Sequence, residues 1–341
     1  MKQLSVFRRL SLEKKIYKRR RLTRKRRKTK YHYSAQIKKK TILKTPILTP
    51  KDFRFVENPL PALVFFNSIR DKNSISLKNG IPTVRISFKK TEKIDFATIS
   101  ILKGIFEESK YNGINFQSNM PKHEKCRQYL IDTGFFNKMY DEKLREINIT
   151  GKGKYFSIEK KEGKLTIKDL KSFDEISCQA FHHIMGKEGY SDESITLLKE
   201  IGGNAVEWSN SYNNQWQIGV FYKANSVVFT VSDLGRGIRD SLYVSRKLKA
   251  IDFFFSRNDL DIIERAFERR YGSLSQEINR NRGLPSIKRA YDDNKITKLV
   301  VCTNNVFLNF ENKSKSILLN KKYVHFLGTF YQWELNKTCF N

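Results

Sequence analysis

No two cysteines in this sequence stand close enough to share a metal. Cys126, Cys178, Cys302 and Cys339 lie far apart with no C-x-x-C among them, which argues against both a zinc site and a dense disulfide framework. A reducing compartment follows as the default. Long apolar runs are missing too: none approaches the ~18 residues of a membrane span, and the basic start is not followed by an apolar signal core. A cytoplasmic protein without a membrane span is expected. Acid is scarce in one place above all, since residues 1–45 hold 19 Lys or Arg against the single acid Glu13. That segment carries +18 of the chain's net +31.

What is present can build cores. The 341 residues are 39% hydrophobic and 13% aromatic, enough for about two domains. Residues 8–45 differ from the rest: few apolar side chains and strong self-repulsion predict disorder or nascent helix in isolation. Lys and Arg that neutralise phosphates release counterions, and the interleaved Tyr17, Tyr31, His32 and Tyr33 can stack on bases. Nucleic acid is therefore the expected ligand of this arm, with a solvated tail or an arm on an anionic membrane surface as the alternatives. Thr45-Pro46 and Thr49-Pro50 mark a linker that closes an arm of residues 1–50.

Residues 51–150 read as a first α/β domain. Thr83 to Lys90 alternates, with Val84, Ile86 and Phe88 on one face of a strand. After Asp95, a plausible N-cap, Phe96, Ile99, Leu102, Ile105 and Phe106 recur at helical spacing. GINFQS makes a second strand, and Pro121 opens a helix that ends at Gly134. Strand, helix, strand, helix implies a parallel layer. Nothing here looks catalytic, and His123 reads as a surface side chain.

Residues 151–341 read as a second domain. Glu159 to Asp169 suits a turn and strand around Gly163, and Phe173 to Met185 suits an amphipathic helix whose adjacent His182 and His183 face different ways. In the next helix Glu200 and Asn204 are four residues apart, so a carboxylate and a carboxamide leave one face. Two strands follow, QWQIGVFY and SVVFTVSD, giving an α/β sandwich. The second runs into Asp233-Leu-Gly235-Arg-Gly237-Ile238, where an acid at a strand end meets bare backbone that lets a flat ligand approach; an ordinary Asp-Gly turn is the bland alternative. Downstream, Arg282-Gly283-Leu284-Pro285 opens a helix whose free amides can face phosphate, and Gly328-Thr329-Phe330 lies in a terminal strand.

Two family resemblances rest on these residues. From about Ile81 to Phe136, the order strand, IDFATISIL, strand, NMP, LIDTGFF resembles the STAS-like domains that precede or partner histidine-kinase-type ATPases in many bacterial proteins. One branch of that family is phosphorylated on a serine after the aspartate. Phe96 stands there in this chain, so the domain is expected to act as a scaffold or a surface for a protein partner.

Over most of residues 190–335, the order E-x-x-x-N, D-x-G-x-G-I, R-G-L-P-x-I and G-T-x-F/Y-x-W resembles the GHKL (histidine-kinase-like, Bergerat fold) ATPases. That resemblance implies an α/β sandwich with a mixed sheet covered by helices, binding ATP and Mg2+. It would make Glu200 the general base or orienter of the attacking water and Asn204 the Mg2+ ligand. Asp233 would accept from the adenine amino group, Gly235, Gly237 and Ile238 would border the purine, and Thr329 would support that acid. Arg282, Gly283 and Leu284 would border the phosphates. Asn281 replaces the first glycine of the family's phosphate loop, and no dimerising hairpin with a phosphoacceptor histidine is present, which argues against a sensor kinase.

Residues 239–281 are the expected nucleotide lid, with Leu260, Ile263 and Phe267 on one stripe of a helix and Arg265, Arg269 and Arg270 elsewhere. The function expected is an ATP-binding, ATP-hydrolysing conformational switch, forming a nucleotide-dependent homodimer. An anti-sigma-type serine protein kinase and a non-catalytic ATP-sensing module are the alternatives.

Overall fold

The strand Ser226–Asp233 has no exposed position, because helices cover both of its faces. The computed structural model describes residues 43–137, 139–140, 146–147, 151–159, 165–208, 215–244, 258–268, 283–319 and 324–340. The basic arm lies outside them. Residues 44–76 and 82–341 form one unit, described here; residues 1–43 with 77–81 form another, of which only Leu43 and residues 77–81 are described.

The first half contributes β1 (Ile47–Leu48), α1 (Pro59–Arg70), β2 (Ile81–Ser87), α2 (Phe96–Tyr111), β3 (Asn115–Asn119) and α3 (Glu124–Asp132). β1 and β3 both pair with β2 in parallel, from Ile47↔Ile86 and from Thr83↔Asn115, and α2 is the crossover between β2 and β3. Asp95 caps α2: its carboxylate accepts the Thr98 amide at 2.8 Å and the Val56 amide at 2.9 Å. Helix α3 starts later than Pro121, because His123 is still extended and serves as the N-cap. Past its end Gly134 takes φ +67°, the left-handed turn expected of a helix stop.

The second half contributes β4 (Gly153–Glu159), α4 (Ile167–Met185), α5 (Asp192–Trp208), β5 (Gln215–Tyr222) and β6 (Ser226–Asp233). After these come α6 (Ile238–Val244), α7 (Asp259–Phe267), α8 (Gly283–Asp292), β7 (Thr297–Asn304), β8 (Val306–Asn309), β9 (Ile317–Leu318) and β10 (Phe326–Asn336). The sheet order is β9-β8-β7-β10-β6-β5-β4, and every neighbouring pair is antiparallel.

A strand reaching Asp169 is corrected. The strand is β4, and Thr166 and Asp169 form a reciprocal capping box that starts α4 at Ile167, ahead of the expected Phe173. The mixed α/β class holds. Among the described residues no helix is long and apolar enough to cross a membrane. All four cysteines are free.

Alternation along β6 sends Val227, Phe229 and Val231 to one face, where they join Phe173 and Ile176 of α4, Leu197, Leu198 and Ile201 of α5 and Ile287 of α8. On the opposite face α2 packs through polar contacts: Ser100 Oγ lies 2.7 Å from Thr230 Oγ1, and Gln217 Nε2 donates to Ser100 O at 3.1 Å. Around that contact Phe53, Phe55, Phe66 and Leu102 share one core with Val300, Cys302, Phe307 and Phe330. Residues on both sides of position 150 therefore build the same core.

Candidate functional site

Asp233 ends β6 on the face occupied by α4, α5 and α8. Its register partners are Trp216 on β5 and Thr329 on β10, and partners directly opposite in an antiparallel sheet share a face. Asp233 is 6% exposed. Burial pushes its carboxyl up to about 7, against the opposing pull of hydrogen bonds from the Gly235 amide, the Thr329 hydroxyl and the Thr329 amide. The Gly235 bond measures 2.9 Å. A carboxyl held by amides and a hydroxyl, with no cation among these groups, is an acceptor suited to a neutral donor.

The backbone around this acid is bare where side chains would block it. Gly328 has φ +108°, and a Cβ there would sit 1.9 Å from the Asp233 carbonyl oxygen. Gly237 has φ +81°, and a Cβ there would sit 2.5 Å from Asn304 Oδ1. Ile238, buried, opens α6 and gives its amide to Thr303 Oγ1 at 2.9 Å.

Glu200 and Asn204 lie on α5, which approaches the same region. Gly202 faces the sheet, where a Cβ would meet Trp216 Cη2 at 3.0 Å and Phe173 Cζ at 3.1 Å. The missing side chain lets α5 settle over Trp216, the neighbour of Asp233. Helix α8 packs against α5, and a Cβ on its first residue, Gly283, would lie 2.9 Å from Glu200 Oε2 and 3.0 Å from Asn204 Nδ2. The carboxylate and carboxamide thus converge on one point of bare backbone, as the four-residue spacing predicts. Asn204 Nδ2 is buried with no hydrogen-bond partner among the described residues. Leu284, next in α8, is partly buried against the core of this face.

These features fit a nucleotide with its metal. The unpartnered Asn204 atom is the amide nitrogen, a donor suited to an anionic oxygen such as phosphate, while the carboxamide oxygen of the same side chain is the atom that could meet a phosphate-bound Mg2+. Among the described residues no cluster of three or more His, Cys, Asp or Glu could hold a metal unaided. Arg282 and Asn281 lie outside the described residues, as does most of the expected lid. Of that lid α6 and α7 are described; α7 is capped at Asn258, buries Ile262, Ile263, Ala266 and Phe267, and stops at Phe267. Arg239 Nε meets Asp259 Oδ1 at 2.6 Å, joining α6 to α7, and Arg269 and Arg270 lie outside the described residues.

The histidines stay apart from this site. His182 and His183 are exposed on α4, and His183 Nε2 lies 2.6 Å from the Lys223 carbonyl. Thr303 and Asn304 escaped the sequence reading; an Asn-Asn pair between two apolar strands was the available signal, and it marks a hairpin rather than a partner for a distant loop. A scan against protein-family models and searches of curated proteins and of solved structures find no match to this chain.

Proposed function

We propose that this chain is a GHKL-type ATP-binding and ATP-hydrolysing switch, with a STAS-like layer packed on the back of its sheet. The observation that carries the reading is the shared face: the buried acid Asp233 and the Glu200–Asn204 pair lie on the same side of one sheet, linked through Trp216. Asp233 accepts the exocyclic amino group of the base, and Gly235, Gly237 and Ile238 border the purine. Thr329 holds the acid in place from the neighbouring strand.

At the other end, the amides at the start of α8, around Gly283, face phosphate oxygens, and Leu284 walls that end. Arg282, immediately before, adds a cation. Mg2+, when bound, would neutralise phosphate charge, and the Asn204 amide oxygen would be the protein atom that holds it. Glu200 orients the attacking water and takes its proton as general base. Helices α6 and α7 belong to a lid that orders on ATP and relaxes after hydrolysis, passing nucleotide state to the arm or to a second copy of the chain.

Titrating Mg-ATP while following free phosphate tests this. Saturable binding with phosphate released into solution is expected. Phosphate appearing on protein instead would favour the serine-kinase alternative, and binding without turnover the sensing module. For the arm, the logarithm of nucleic-acid affinity should fall against the logarithm of salt with a slope of about −7, if it neutralises roughly eight phosphates of duplex DNA. Deleting residues 1–45 should flatten that slope and leave ATP binding intact; an unchanged slope would place the polyanion site elsewhere.

A further inference from the structure

The turn between β7 and β8 holds a residue in a conformation that glycine normally takes. Asn304 has φ +53°, and it stands between Thr303 and Val306, which pair across the hairpin. Asn and glycine are the residues that take positive φ most readily in tight hairpins, so the turn itself explains the conformation, and the role of the side chain has to be read from its contacts. Asn304 Nδ2 donates to the Arg236 carbonyl at 2.9 Å, and Asn304 Oδ1 accepts from the Arg239 amide at 3.1 Å. One carboxamide therefore bridges the loop that follows Asp233, reaching both sides of Gly237.

Thr303 adds a third tie. Its Oγ1 accepts from the Ile238 amide at 2.9 Å and donates to the Gly328 carbonyl at 3.1 Å, and it lies 3.4 Å from Thr329 Oγ1. The hairpin tip thus touches the loop after Asp233 and the strand segment that supports Asp233. Gly237 presses on the same carboxamide, where a Cβ would come within 2.5–2.7 Å of the Asn304 side chain.

We propose that Thr303 and Asn304 are positioning residues that clamp the loop from Gly235 to Ile238 in the shape that receives the purine. This rests on the reading of Asp233 as the base acceptor. A clamped loop keeps the Gly235 amide on Asp233 and the purine-bordering backbone in place before ligand arrives, so the ordering cost is met in folding rather than in binding. Neither residue touches the reacting phosphates.

The decisive variant is Asn304→Gly, because glycine suits φ +53° and removes the bridge without straining the hairpin. Calorimetry should show Mg-ATP binding about tenfold weaker than in the wild type, the scale of one or two lost hydrogen bonds, in a protein that stays folded with a melting temperature lowered by no more than several degrees. Inorganic tripolyphosphate, which has no base, should compete equally well against both proteins. Thr303→Ser should keep wild-type affinity and Thr303→Val should lose it.

In the nucleotide-free proteins, hydrogen exchange at the Ile238 and Arg239 amides should be at least about tenfold faster in Asn304→Gly. Equal ATP affinity in Asn304→Gly and wild type, or equal exchange at those amides, would overturn the clamp and leave the ATP site standing. A wild type that binds no ATP would overturn the site and the clamp's role in it together.

Discussion

Asp95 and Asp233 are both buried carboxyls pushed above the usual carboxylate range by burial, yet their neighbourhoods differ. Asp95 borders a cavity also lined by Arg54, Phe96 and Tyr129. It caps α2, takes the amides of Thr98 and Val56, and is followed directly by Phe96. Asp233 ends its strand among residues without side chains: Gly235 donates to it, Gly237 follows in left-handed backbone, and Gly328 crosses where no Cβ fits. A helix cap uses buried acid to satisfy backbone that burial would orphan; the strand-end acid sits where neighbouring backbone packs too closely for a Cβ at Gly328. The first arrangement serves folding; under the proposed function the second serves a ligand.

The largest effect expected lies on the catalytic side of that contrast. Replacing Glu200 with Ala should reduce phosphate release by about a hundredfold or more while leaving ATP affinity near wild type, the usual scale for a general base. Unchanged turnover would assign Glu200 to structure, as Asp95 is. The next effect falls on Asp95. Asp95→Ala should cost about 2 kcal/mol of stability by denaturant titration, and Asp95→Asn less, since its single amide oxygen can still cap the Thr98 amide while its NH2 leaves the Val56 amide without an acceptor. Neither should alter ATP binding, and weakened binding in a stable Asp95→Asn protein would erase the distinction drawn here.

Titration sharpens the comparison further. Below pH of about 7 the Asp233 carboxyl carries its proton, which under the proposed function would set a donor hydroxyl against the amino group of the base. ATP affinity should therefore rise several-fold between about pH 6 and about pH 8 and level off above the folded-state value. A flat profile would mean that the base does not meet this acid.

The smallest effect concerns stability without ligand. Between the ordinary carboxylate value of 3.8 and about 7 the unfolded chain has lost this proton while the native chain keeps it, so stability falls as pH rises through that window. Asn at this position carries no such loss. Asp233→Asn should gain thermal stability relative to wild type at about pH 8 and less of it at about pH 5, the mark of an acid kept for function at a cost in folding.

Much of this arrangement was legible in the sequence. The limits of β5 and β6 follow from their hydrophobic runs, the cap at Asp95 from its place before a helical stripe, and the shared direction of Glu200 and Asn204 from their spacing. What was not legible depends on contacts between distant segments. KLTIKD alternates like a strand, but Thr166 and Asp169 close a capping box and start a helix there. Polar residues on the back face of β6 make sense only once Ser100 and Gln217 are beside them. Thr303 and Asn304 are separated by 65 residues from the amides they hold, and no local pattern announces such a pairing.

The account turns on Asp233, and paired calorimetric titrations of Mg-ATP into wild type, Asp233→Asn and Asp95→Asn test it most directly. The account predicts saturable binding by wild type and Asp95→Asn, and none by an Asp233→Asn protein that melts no lower than wild type. Normal affinity in Asp233→Asn would contradict it, and that buried acid would then have to serve something other than a nucleotide base.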